Sequence, residues 1–73
     1  MDLEYIFSIV LDDRLATAEL FAADDRAARN QALMATAETL KDYGLRGHPL
    51  TSLAVTVESL SGETIFEARV VLT

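Results

Sequence analysis

The sequence contains no cysteine, no tryptophan, one histidine, one proline and three glycines among its 73 residues. Without cysteine there are no disulfides, no thiol nucleophiles and no Cys-ligated zinc. So little proline and glycine excludes a collagen-like or linker-rich chain. No apolar run reaches the roughly 18 residues that a membrane-spanning helix needs. The opening Met1-Asp2-Leu3-Glu4 lacks a basic stretch, so no secretory signal is expected and a cytoplasmic location is the expectation. Basic residues are also scarce: 6 Lys+Arg stand against 12 Asp+Glu, a formal charge of −6. Residues 1–43 hold nine acids and four bases, and residues 44–73 hold three and two. Such a chain repels phosphate backbones and anionic lipid, so neither nucleic acid nor membrane is an expected partner. A basic protein partner stays open.

What is present is apolar enough to fold. Hydrophobic residues make up 51% and charged residues 25%, which is unlike a disordered chain. The length fits one small domain over residues 1–73. Area scaling for a chain of this mass gives about 11,600 Å² unfolded and about 4,500 Å² folded. A domain this small is expected to be stable by about 4–11 kcal/mol. Self-association is a natural way for it to bury more area.

Residues 3–11 alternate. Leu3, Tyr5, Phe7, Ile9 and Leu11 form one apolar face, and Glu4, Ile6, Ser8 and Val10 form a mixed one, the pattern of a half-buried strand. Asp12-Asp13-Arg14 suits a turn. Leu15 to Phe21 reads as a second strand, although Ala16 and Ala18 fit a helix nearly as well. Asp24 to Tyr43 reads as a helix, with Asp24 as its cap and Asp25 as favourable first-turn charge. Ala28, Ala32, Leu33, Ala35, Thr36, Thr39, Leu40 and Tyr43 share its apolar stripe, with Arg29 on that stripe reaching to its edge. Gly44 suits the position just past the helix, with Leu45 as the hydrophobic contact that follows. After a Gly47-His48-Pro49 loop, residues 51–60 alternate again. Ser61-Gly62 signals a hairpin, and residues 64–72 form the last strand.

The expected class is therefore α+β, in the order β-β-α-β-β, with an antiparallel-rich sheet and one helix packed on one face. Ile6, Val10, Ile65 and Val71 are left on the opposite strand faces, and they are the candidate interface for a second copy or a partner.

No catalytic constellation emerges. His48 has no second histidine or cysteine to work with and reads as a loop residue. Asp12-Asp13 and Asp24-Asp25 could together hold a hard cation, but they lack calcium-loop spacing and read better as turn and cap residues. Gly44-Leu45-Arg46-Gly47 matches a bare GxxG, although a strand and not a second helix follows it. Tyr5 and Phe7 could stack bases, yet they share a face with Leu3, Ile9 and Leu11 and read as core. The expectation is a protein that is not an enzyme, with no catalytic residues, no metal and no cofactor.

The chain resembles a family of small bacterial domains of unknown function. The resemblance rests on the aromatic-rich strand Tyr5-Ile6-Phe7-Ser8-Ile9-Val10, the helix Ala27-Ala28-Arg29-Asn30-Gln31-Ala32-Leu33, and the closing hairpin. That hairpin comprises Leu53-Ala54-Val55-Thr56-Val57-Glu58, Gly62 and Ile65-Phe66-Glu67-Ala68-Arg69-Val70. The likeness implies the β-β-α-β-β fold and no particular activity. More loosely, residues 5–43 resemble HicB-type antitoxins. The expected function is a self-associating structural or interaction module, a homodimer. The alternative is an acidic binding module for a basic protein, such as an antitoxin-like inhibitor.

Overall fold

The structure is a computed structural model that describes residues 2–47 and 49–72. Its elements are β1 (Leu3–Leu11), β2 (Arg14–Ala22), α1 (Asp25–Arg46), β3 (Ser52–Ser59) and β4 (Thr64–Val71). The strands form one antiparallel sheet in the order β2-β1-β3-β4. The expected class and element order hold. The second strand is a strand, longer by one residue at each end than its alternation suggested.

Two tight connections set the register. Asp12 adopts φ 57°, a left-handed conformation that Asp tolerates better than most residues. A two-residue turn with such a twist closes β1 and β2 without a slip, from Leu11 opposite Arg14 to Leu3 opposite Ala22. The turn is also tied to the far side of the sheet. The Asp12 carboxylate accepts from Thr51 N–H (2.9 Å), Thr51 Oγ1–H (2.6 Å) and Ser52 N–H (3.0 Å). The Thr51 hydroxyl, then the Thr51 and Ser52 amides, hold that carboxyl below its usual range. The other hairpin turns at Gly62, which needs φ 89°, and Ser59 N–H donates to the Glu63 carbonyl at 2.8 Å.

The helix begins as its sequence implies. Asp24 accepts from Ala27 N–H at 2.8 Å and caps the first turn. It ends later than expected. Gly44 is helical, Leu45 and Arg46 continue the last turn, and Gly47 takes the left-handed capping position at φ 68°. Arg46 bonds Asp42 one turn back at 3.1 Å, which favours the extra turn. Leu45, expected to fold back as a capping contact, is exposed instead.

The core lies between α1 and the inner sheet face. Tyr5, Ile9, Leu53, Val55 and Val57 meet Ala22, Ala28 and Ala32 there. Ala28, Ala32 and Thr36 recur every four residues, so the helix rests on the sheet through small side chains. Thr36 can be buried because its hydroxyl donates to the Ala32 carbonyl at 2.7 Å. Leu33, expected on this stripe, is exposed. Arg29 does reach the stripe's edge, its guanidinium 5.8 Å from the centre of the Phe66 ring.

Candidate interaction surface

The strand register assigns the outer sheet face row by row. One row runs Leu15, Val10, Ala54, Arg69. The next is polar throughout: Thr17, Ser8, Thr56, Glu67. The third places Ile6 between Glu19 and Glu58. Beyond it, Glu4 lies opposite Phe21, and at the other end Ser52 lies opposite Val71. This alternation of apolar and polar groups is normal for a sheet face turned to water.

The four candidate interface residues therefore do not form one stripe. Ile6 is flanked by carboxylates. The polar row separates it from Val10. Val10 and Val71 line one shallow hollow of about 400 Å³ with Ser52, Ala54 and Arg69. Ile65 sits where the pairing of β3 with β4 slips past Val57 and Glu58, and it packs against the core. A bulge turns a residue away from the face that strict alternation predicts, and sequence periodicity gives no sign of it.

The longest exposed run of any strand is on β2, which sequence reasoning left out of the interface. Residues 14–19 are exposed throughout, including Ala16 and Ala18 on the helix side and Leu15 and Thr17 on the outer side. Leu15 is 67% and Phe21 is 51% exposed. The low content of large and charged residues in Leu15-Ala16-Thr17-Ala18 was the available signal.

The residues weighed for chemistry have local structural work. Asp24 caps the helix. Asp25 accepts the Tyr5 hydroxyl at 2.7 Å. That bond, then burial and the nearby Asp25 and Asp24 charges, push the Tyr5 hydroxyl up to about 12. The two Asp pairs stand at opposite ends of β2, about 30 Å apart along a nine-residue strand, so they cannot share a cation. Among the described residues, no group of three or more His, Cys, Asp or Glu could hold a metal. His48 lies outside the described residues. Gly44 and Gly47 are a helical residue and its cap, not a loop between two helices. Among the described residues, no helix is long and apolar enough to cross a membrane.

Four antiparallel strands and one helix, with no assembled reactive group among the described residues, define a small α+β domain. Residues 5–71 match the family described as a domain of unknown function, DUF6894, and the chain belongs to that family. No curated protein and no solved structure matches it.

Proposed function

We propose that this domain is a non-enzymatic, self-associating interaction module that works as a homodimer. One observation carries the reading: the chain has more surface than its mass requires. Its accessible area is 5114 Å², against about 4,500 Å² for a compact chain of this size. The surplus of about 600 Å² approaches the roughly 800 Å² that each partner contributes to a standard interface. The radius of gyration, 12.6 Å, also exceeds the about 11 Å expected for this length. Light scattering across a concentration series tests the reading. A mass near 16 kDa, twice the 8.0 kDa of the chain, is expected; 8 kDa throughout overturns it.

A second reading is favoured by the charge on the outer face. Glu4, Glu19, Glu58 and Glu67 stand there with Arg69 as the one basic residue among these rows, which suits a basic protein. Retention of a basic protein at low salt, lost at moderate salt, is the expected pull-down result; nothing basic retained even at low salt would end it.

A further inference from the structure

We infer that the β2 edge is the self-association surface, pairing antiparallel with β2 of a second copy to make one continuous eight-stranded sheet. The inference rests on the proposed self-association and names its route.

The direction of the backbone groups comes first. Asp12 N–H donates to the Ser52 carbonyl, toward β3. Bonding directions alternate along an antiparallel strand. The even residues of β1 therefore bond β3 and its odd residues bond β2, where Leu11, Ile9, Phe7 and Tyr5 meet Arg14, Ala16, Ala18 and Leu20. That leaves the N–H and C=O of Leu15, Thr17, Glu19 and Phe21 pointing out of the sheet. The Phe21 carbonyl takes one bond at 3.3 Å from Gln31 Nε2, and a carbonyl can accept a second. Nothing else among the described residues covers this row.

The edge carries few of the devices that keep strand edges apart. It has no proline, no lysine and no bulge, Glu19 is the one charge among its four outward positions, and its first six residues are exposed. The β4 edge carries more. Its outward positions include the charged Glu67 and Arg69, and it bends at the bulge beside Ile65.

A two-fold axis explains why a second copy fits. Antiparallel pairing about an axis through Ala18 sets Leu15 opposite Phe21 of the second copy, and Thr17 opposite its Glu19. On the helix side Ala16 meets Leu20. Within residues 15–21 each apolar residue meets an apolar one, and at the ends of the strand Ala22 falls opposite Arg14. The two kinds of pair on the outer face lie at hydrogen-bonding positions. Stacking the outer faces instead would bring Glu4, Glu19 and Glu58 of both copies into a dry interface, which is costly for unpaired charge. Edge pairing leaves those carboxylates in water. The row of at most about eight backbone bonds, with Leu15 and Phe21 covered, can absorb the surplus surface.

Thr17→Pro removes an outward N–H and leaves the β1–β2 ladder intact, as proline does on an edge. The expected mass is about 8 kDa at concentrations where the natural chain is about 16 kDa. Ala18→Lys, at an exposed position, should also give a monomer, because like charges then face each other across the axis. This second variant reduces the overall negative charge, so a general charge effect would strengthen association instead. Circular dichroism establishes that each variant is folded. In this cysteine-free chain, Ala18→Cys should form an intermolecular disulfide on mild oxidation, since such paired positions suit its geometry; Glu67→Cys should not. If the natural chain is a dimer and both folded variants stay dimeric, the edge assignment is overturned while self-association stands. If Arg69→Pro alone yields a monomer, the β4 edge is the route and the assignment is equally overturned. A natural chain that stays at 8 kDa removes both.

Discussion

The sheet has two halves built to different standards. β3 is covered on its inner face, with Leu53, Val55 and Val57 fully buried, and β4 beside it packs Phe66 and Val70 against the same core. β2 on the other side is exposed on both faces for most of its length. Both halves belong to one unbroken hydrogen-bonded sheet. Pairing to β1 is therefore complete along β2 where side-chain burial is not. A single helix seated through Ala28, Ala32 and Thr36 reaches only part of the sheet's width. The lesson is that a domain this small can hold most of a strand's length by ladder bonds, with only Leu20 and Ala22 of β2 reaching the core and residues 14–19 left exposed.

The largest expected effect comes from cutting the two halves with the same substitution. Leu53→Ala empties a fully buried position and should cost about 2–5 kcal/mol, a large part of a total expected near 4–11 kcal/mol. Leu15→Ala removes the same atoms from a position 67% exposed, and in the monomer should cost no more than about 0.5 kcal/mol. Urea unfolding at low protein concentration measures both. Equal losses would break the comparison.

A smaller effect should separate the halves by adding volume instead. Ala32 is fully buried between α1 and the sheet. Ala32→Leu must lift the helix or force a strained rotamer, and should cost about 1–3 kcal/mol. Ala18→Leu projects from the same sheet face over the bare half, and its melting temperature should stay within a few degrees of the natural chain's. Thermal melts of the two variants, read side by side, test whether helix cover stops where the exposures place it.

How much of this was legible in the sequence follows from the distance over which each signal acts. The strands, the Asp24 cap and the Gly62 turn are written in neighbouring residues, and the order β-β-α-β-β follows from them. The helix end was misplaced because Gly44 resembles a cap locally, while the Asp42–Arg46 pair and Gly47 extend the helix by a turn. The outer face was legible only in part. Alternation placed Ile6, Val10 and Val71 there, but the polar row between Ile6 and Val10 depends on which strands become neighbours. Ile65 was lost to a bulge. The clamp of Asp12 on Thr51 spans 39 residues, and no local pattern announces it.

The smallest expected effect sits where the two halves meet. Tyr5 lies on β1, between the bare strand and the covered ones, and its hydroxyl donates to Asp25 at the start of α1. Ionising that hydroxyl removes the proton that makes the bond and sets a phenolate beside Asp25 and Asp24. The neutral form is therefore favoured in the folded chain, and the hydroxyl is pushed up from 10.0 to about 12. A pKa raised on folding gives stability that is fully present below the unfolded value. It fades as pH climbs from about 10 toward about 12. The chain has two tyrosines, so a spectrophotometric titration should contain a late phase near pH 12 that Tyr5→Phe deletes. The variant should also lose the tyrosine-linked part of the alkaline fall in stability while keeping its fold, because the ring remains in the core. If the late phase persists in Tyr5→Phe, the bond to Asp25 is not what produces it, and the proposed link between the Tyr5 proton and the helix start is lost.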